Sequence, residues 1–300
     1  MELRTVVERH EGRLTPADRR LVRELLTYPA EAAFLSTTRL AARTGVHQTT
    51  AVRLAKKLGF SGYPALRAQL QAELLRRSTP SDPAERVRRR LSHTPEGAVL
   101  ETLIDTEVDA LRRVRDHVSQ AHLDAVARVL IDARRLFLYA HGNATTLVEL
   151  MDRRLRRSGF DTVDLRAQGR TLAERVLTLG RGDAVVLFAF RAAPPGYVPL
   201  VRYAGQVGAR TVLVSDLIGT MIRPRPDVAL VAPRGGEGEF QTLTVPMLIC
   251  NALILTIAKL DDGRSMTALD RLGHIAAWFE EGGDGRGRKP AESRLGRRRT

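Results

Sequence analysis

Apolar residues at helical spacing dominate the first eighty positions, between residues that start or stop helices. Residues 15–18 place a hydroxyl, a proline and an acid at a helix start, and a helix is predicted to follow. A second helix is predicted over 36–44 and a third over 47–58. Gly45 lies between these two because glycine tolerates the positive φ of a tight turn. These three helices make this part of the chain an expected small all-α domain.

A different pattern begins near residue 95, where helical stretches come to alternate with short, continuous apolar runs. Runs of this kind are typical of strands buried on both faces, and their alternation with helices predicts a parallel sheet covered on both sides. The predicted strands are 136–140, 163–165, 184–189, 211–215 and 228–231. The predicted helices are 95–117, 121–133, 145–157, 198–207 and 240–260. Ligands of such sheets bind at the carboxyl ends of the strands.

Two segments break these patterns. Residues 78–83 are rich in serine, threonine and proline, and we interpret 78–94 as a linker. Residues 282–300 are rich in glycine and arginine and are predicted to be a disordered basic tail. The chain is therefore divided into a helix-turn-helix domain at 1–77, this linker, an α/β domain at 95–281 and the tail.

The charge is strongly positive and unevenly distributed. The 300 residues carry 48 basic and 34 acidic side chains, a net charge of +14. Residues 1–80 carry +7 and residues 282–300 carry +5, whereas the much longer stretch between them carries only +2. This asymmetry favours an anionic polymer as the partner of the N-terminal part. A competing interpretation is an arginine-rich genome, because 44 of the basic residues are arginine.

Composition also excludes several classes of protein. Cys250 is the only cysteine, so a disulfide framework and every multi-thiolate metal site are excluded. No apolar run reaches 18 residues, and the N-terminus lacks the apolar core of a signal peptide. We therefore expect a cytoplasmic protein that spans no membrane and carries neither metal nor cofactor.

The outer face of the third helix has the chemistry that DNA recognition requires. Its polar start offers donors and acceptors for base edges, and its basic end offers charges for phosphates. The predicted DNA-contacting residues are His47, Gln48, Thr49, Thr50, Arg53, Lys56 and Lys57. One such helix covers few base pairs, so we expect a homodimer or higher homo-oligomer on a double-stranded operator.

These residues carry a specific resemblance. Residues 40–53, followed by Lys57-Leu58-Gly59-Phe60-Ser61-Gly62-Tyr63-Pro64, resemble the N-terminal domain of RpiR-type bacterial transcriptional regulators. In that family another helix follows these residues, here 64–77. The family usually has a serine where this chain has His47. The second half, in its order of strands and helices, resembles the SIS (sugar isomerase) domain that these regulators also carry. The resemblance implies a regulator whose operator affinity is controlled by a small molecule bound in the SIS-like domain.

The predicted effector site departs from the family in one of its two loops. SIS domains that bind sugar phosphates use a glycine-rich loop after the first strand and a serine- and threonine-rich loop after a central strand. Here the first loop keeps a glycine and hydroxyls, but the second has lost its hydroxyls and gained Arg191. The predicted effector-binding residues are His141, Gly142, Asn143, Thr145, Thr146 and Arg191. An arginine suits carboxylates as well as phosphates, so we expect an anionic effector of either kind.

Two other functions remain open at this point. One alternative is an SIS-like domain that only dimerises the DNA-binding domains and binds no ligand. A sugar-phosphate isomerase is a more remote alternative, because such an enzyme needs a general base beside its phosphate site. Neither loop contains an aspartate or a glutamate, so we expect no enzymatic activity.

Overall fold

The computed structural model describes residues 3–77, 83–234 and 240–281. Its N-terminal part is all helical, and its apolar core is formed by side chains from each of the longer helices. The helices are α1 (Leu3–His10), α2 (Pro16–Thr27), α3 (Pro29–Ala32), α4 (Thr37–Thr44), α5 (Gln48–Lys57) and α6 (Tyr63–Arg77). The predicted all-α domain is confirmed.

Local sequence signals explain where these helices begin and end. Thr15 and Asp18 form a reciprocal capping box at the start of α2, and the Ser36 hydroxyl accepts a hydrogen bond at the start of α4. His47 is the N-cap of α5, where its Nδ1 accepts from the Thr49 N–H. Gly45 ends α4 with a φ of 63°, the left-handed conformation that glycine adopts at little cost.

The second half of the chain is an α/β domain around one five-stranded sheet. All neighbouring strands are parallel, in the order β2-β1-β3-β4-β5. The strands are β1 (Leu136–Ala140), β2 (Thr162–Asp164), β3 (Ala184–Phe188), β4 (Arg210–Ser215) and β5 (Val228–Val231). The larger helices are α8 (Val99–His117), α9 (Gln120–Ile131), α10 (Thr145–Arg157), α11 (Gly169–Val176), α12 (Tyr197–Val207), α13 (Thr244–Leu260) and α14 (Arg264–Glu281).

The strands are buried on both faces, as their continuous apolar runs predict. Along β1, Leu136 and Leu138 face a core that also takes side chains from α8, α9, α10 and α13. Phe137 and Tyr139 point to the opposite face, where α11 and α12 cover the sheet. The period-two alternation of side chains therefore divides one apolar run between two cores.

Five helices of the structure, α1, α3, α7, α11 and α14, were not predicted from the sequence. Helix α7 (Pro83–Ser92) lies within the segment interpreted as a linker, where proline occupies the first helical position. It has no buried residue, so its apolar pattern is weak. Helices α1 and α11 are eight residues each and were not predicted, because so short a stretch shows little periodicity. The predicted basic tail lies outside the described residues.

Two further features of the C-terminal helices are defined. Cys250 is fully buried in α13, and burial raises the pKa of its thiol to about 12, which makes it a poor nucleophile. No single helix in the described ranges has the length and apolar composition of a membrane span. Only α13 and Arg264–Phe279 meet that criterion together, with a bend of 99° between them.

A buried carboxylate fastens the amino ends of the two central strands. Asp183, directly before β3, accepts hydrogen bonds from Arg134 Nε and Nη2 and from Arg135 Nη2, each at 3.0 Å. The Gly180 N–H donates to the same carboxylate at 2.9 Å. Burial alone raises the pKa of Asp183, but these hydrogen bonds outweigh it and hold the pKa below its ordinary value.

We expect Asp183→Asn to lower the free energy of unfolding by about 2–3 kcal/mol at neutral pH, because two arginines lose a charged partner. In the wild type this contribution is present above the unfolded pKa of about 4 and is lost as the pH falls through the lower folded value. Urea unfolding from pH 7 to pH 3 measures both effects.

The exposed Asp132 offers a matched control in the same region. Asp132→Asn should leave the pH dependence of unfolding unchanged, whereas Asp183→Asn should flatten it below about pH 4. An equally steep loss of stability in Asp183→Asn and in the wild type would show that Asp183 does not make this contribution.

Candidate functional sites

The outer face of α5 presents most of the predicted DNA contacts to solvent. Thr38 Oγ1 in α4 donates to Gln48 Oε1 at 3.1 Å, which ties the two helices together at the start of α5. The helices approach closely because Ala41 and Ala51 are small and buried between them. The exposed residues of the predicted set are His47, Gln48, Thr49, Arg53 and Lys56.

Two predicted DNA contacts are corrected by the structure. Thr50 is only 7% exposed and faces the core of the domain, so its side chain cannot reach a base. Lys57 bonds through Nζ to the buried carboxylate of Asp18 in α2. Burial alone raises the pKa of Asp18, but hydrogen bonds from Lys57 and Thr15 outweigh it and lower the pKa. The Lys57 charge therefore holds α5 onto α2.

The predicted effector residues after β1 lie at the carboxyl edge of the sheet, where α10 begins. His141, Gly142 and Asn143 are exposed, and so is Thr146 in the first turn of α10. Thr145 is half-buried, and its hydroxyl donates to the carbonyl of Gly142 at 2.7 Å. That hydroxyl therefore stabilises the turn that leads into α10.

The loop after β3 folds back against β1, so the two predicted loops lie side by side at this edge. The Tyr139 hydroxyl, on β1, donates to the carbonyl of Pro195. A side chain at Gly196 would collide with Leu172 and press on Tyr139, so only glycine fits here. Arg191 has a φ of 67°, a left-handed conformation that is costly for a residue with a side chain.

A second arginine at this edge was not predicted. Arg234 follows β5, bonds through Nη2 to Asp216 Oδ2 at 3.1 Å and lies 4.2 Å from the ring centroid of Phe190. Asp216, the first residue after β4, also accepts the Arg191 N–H at 3.0 Å. Both residues follow predicted strands, which is the position expected of ligand-binding groups. That they meet across two separate loops is not visible in the sequence.

The two domains contact each other through a cluster of charges. Glu31 in α3 is buried and bonds to Arg43 Nη1 in α4 and to Arg113 Nη1 in α8, both at 2.6 Å. The same two guanidinium groups lie over the ring of Tyr28, at 5.6 and 4.5 Å from its centroid. Arg43 Nη2 also forms an ion pair with Glu24 Oε1 at 2.6 Å. The helical N-terminal domain is thus held directly against the first long helix of the α/β domain.

Comparison with known proteins supports both halves of the resemblance. Residues 1–77 match the family described as the helix-turn-helix domain of the rpiR family. An uncharacterized HTH-type transcriptional regulator of Escherichia coli, YfhH, is 30% identical over 167 residues, which cover 55% of this chain and 58% of that protein. Proteins of Burkholderia mallei and other species named bifunctional protein glk match at 26% identity over 220 residues. The chain spans about a third of their length.

Two solved structures show the fold. The sugar isomerase domain of an RpiR transcription factor from Sphaerobacter thermophilus covers 59% of this chain and 98% of its own, with a TM-score of 0.54 and 18% identity. The Vibrio vulnificus NanR protein, in complex with ManNAc-6P, covers 91% of this chain and 98% of its own, with a TM-score of 0.50 and 15% identity. The predicted resemblance to RpiR-type regulators, with an N-terminal helix-turn-helix domain and an SIS fold, is confirmed.

We expect Arg113→Ala to loosen the N-terminal domain from α8, because Glu31 and Tyr28 both lose a cation. The cost should be about 1–3 kcal/mol, the range for a hydrogen bond to a charged group. Hydrogen–deuterium exchange of the full chain should show faster exchange at residues 29–44. Arg112→Ala is the matched control, since the Arg112 side chain is 76% exposed and forms an ion pair with the exposed Asp109. Equal exchange in the two variants would contradict the assignment.

Proposed function

Because residues 1–77 match the helix-turn-helix domain of the rpiR family, we propose that this chain controls transcription by binding duplex DNA through α5. Its operator affinity is set by a small anionic effector at the carboxyl edge of the SIS-like sheet. The observation that carries the DNA-binding role is the exposed, polar and basic face of α5, held in place by α2 and α4.

Separate roles along α5 follow from what its side chains can reach. Gln48, Thr49 and Arg53 are exposed near the start and middle of the helix and suit the hydrogen-bonding groups of base edges. Lys56 is exposed at the basic end and suits a phosphate. His47 lies at the cap, where its ring can reach the DNA backbone. Lys57 is assigned no DNA contact, because Asp18 holds its ammonium group.

The anionic class of the effector is supported by the exposed N-terminus of α10 and by Arg191. A helix N-terminus favours negative charge, and an arginine grips phosphates and carboxylates alike. The Vibrio vulnificus NanR protein, which has the same fold, was solved with the sugar phosphate ManNAc-6P. We therefore propose a sugar phosphate or a carboxylate as the effector, held by the loops after β1 and β3.

A homodimer is part of the same proposal. Two copies of α5 are needed to read two half-sites, which lie about 34–36 Å apart in a helix-turn-helix dimer. The C-terminal helices carry large exposed apolar side chains that favour association of the α/β domains. These side chains are Leu248 and Leu255 in α13 and Met266, Trp278 and Phe279 in α14.

We expect Arg53→Ala to weaken binding by about 1–3 kcal/mol on a duplex that the wild type has selected from a random library, and to relax the preference at one base pair. The effect on random DNA should be small. Lys56→Ala should weaken binding to both duplexes alike and lower the salt slope by about one. Fluorescence anisotropy at several salt concentrations measures all of these quantities.

Arg20→Ala serves as the control, because Arg20 is exposed on α2 and is not one of the predicted DNA contacts. Lys57→Ala should lower the free energy of unfolding of the domain, because Asp18 loses its partner. It should leave the salt slope of DNA binding nearly unchanged. Should Arg53→Ala affect selected and random DNA equally, Arg53 would be a phosphate contact and its assignment to a base would be wrong.

We expect a panel of sugar phosphates and carboxylates to contain a ligand that raises the stability of the chain, by about 2.7 kcal/mol at one hundred times its dissociation constant. Arg191→Ala should abolish this response. The substitution leaves the backbone strain at φ 67° in place, because alanine also has a Cβ. Arg202→Ala, at an exposed position of α12, is the control. An unchanged response in Arg191→Ala would remove Arg191 from the site. A panel without any response would favour a domain that only dimerises.

A further inference from the structure

Arg234 is a buried cation with an incomplete set of partners. Its side chain is 9% exposed, and burial lowers its pKa from the ordinary value, although the nearby Asp216 opposes that effect. Only Nη2 bonds to Asp216, and among the described residues Nε has no hydrogen-bond partner. A buried N–H of a charged group that lacks an acceptor is costly. An oxyanion bound in the bidentate geometry that arginine prefers would accept hydrogen bonds from both Nε and Nη2.

Asp216 connects Arg234 to two other loops. Its Oδ1 accepts the Arg191 N–H at 3.0 Å and the Gly219 N–H at 2.7 Å, while its Oδ2 takes the bond from Arg234. The carboxylate is 8% exposed, so these three donors replace most of its water. If Arg234 binds another anion, the Asp216 carboxylate loses a donor, and its hydrogen bonds to the turn from Asp216 to Gly219 change as well.

This turn reaches into the other domain. Ile218, two residues after Asp216, is 4% exposed and belongs to the apolar core of the N-terminal domain. The next residue, Gly219, leaves no room for a side chain, because a Cβ would meet Ser215 and lie 2.8 Å from the carbonyl oxygen of Ala189. A displacement of Asp216 is therefore transmitted to Ile218, because the close packing around this turn leaves no free volume in which it could be absorbed.

We propose that Arg234 is an anion-binding residue of the effector site. When no anion is bound, the carboxylate of Asp216 pairs with the Arg234 guanidinium. An arriving phosphate or carboxylate displaces Asp216 from Arg234 and so shifts Ile218 within the N-terminal domain. The link to DNA rests on the function proposed above. The anion reaches Arg234 past the loop after β3, where Ala192 and Ala193 are exposed beside Arg191.

The test is hydrogen–deuterium exchange of the full chain, with inorganic phosphate in one arm, acetate in a second and chloride at equal ionic strength as the reference. In the wild type, phosphate or acetate should speed exchange at the amides of Arg191 and Gly219. The expected factor is about tenfold or more, that of a lost charge-assisted hydrogen bond. Exchange in the N-terminal helices should change in the same arm. The arm that responds identifies the oxyanion, and no response in either arm overturns the proposal.

Two variants should move anion affinity in opposite directions. Asp216→Asn removes the internal competitor, so the responding anion should bind more tightly, by about tenfold. Arg234→Gln removes the cation, so the response should disappear, whereas Arg225→Gln, at an exposed position before β5, should keep it. If Asp216 and Arg234 were only a structural ion pair, both variants would lower stability and neither would tighten anion binding; that outcome overturns the proposal.

Ile218→Ala tests the connection between the domains. The anion should still speed exchange at Arg191 and Gly219, but exchange in the N-terminal helices should no longer change. An undiminished response in those helices would rule out the route through Ile218. DNA binding is measured on the same samples: a chain that binds no DNA but keeps the Arg234 response refutes the proposed function alone.

Discussion

Five parallel strands place their carboxyl-terminal loops on one edge of the sheet, and the carboxylate of Asp216 holds three of those loops together. Beyond the ends of the strands, backbone N–H groups lose their ladder partners, and a buried N–H must find another acceptor. Asp216 provides it for Arg191 and Gly219. A buried carboxylate is itself costly unless it is paired, and Arg234 supplies the pairing charge. Each group is stable in its buried position because the others are present.

Two kinds of contact join the α/β domain to the helical domain. Arg113 and Glu31 connect α8 to α3, and Ile218 lies in the core of the helical domain. The position of the helix-turn-helix therefore depends on contacts that begin within the α/β domain. If the proposed effector changes the affinity for DNA by a given factor, DNA changes the affinity for the effector by the same factor. The contact through α8 is polar and lies near solvent, whereas the contact through Ile218 is apolar and buried.

The strands and the large helices are predictable from sequence because their apolar patterns are long or continuous. The limits of β1 and α10 agree with the prediction to the residue, since each apolar run is bounded by residues that end it. Side-chain direction on a helix is harder to predict. Thr50 and Lys57 were assigned to the outer face of α5, but one step along a helix turns a side chain by 100°, and a long lysine reaches whichever carboxylate the fold brings near. In this fold that carboxylate is Asp18.

The pairing of Arg234 with Asp216 was beyond sequence reasoning for a different reason. It joins loops that follow the fourth and fifth strands, and it depends on strand order, which local patterns do not encode. Arg191 was found because it interrupts a loop that resembles a known one. Its side chain, however, is half-buried, and its backbone N–H is what bonds to Asp216. A residue that lies in a familiar motif is thus easier to recognise than an equally well-placed one outside it.

The replacement of hydroxyls by arginine alters what the proposed site selects. A neutral cradle of serines gains each hydrogen bond to a phosphate without losing another. At Arg234 an incoming anion competes with Asp216, and it gains the hydrogen bond from Nε that Asp216 does not accept. A bare carboxylate would exchange one carboxylate for another and gain only the bond to Nε. The net free energy of binding therefore favours an anion whose other groups also bind the loop after β1, where α10 begins. The charge of the effector attracts it to the site, and the uncharged groups of the effector determine how tightly it binds.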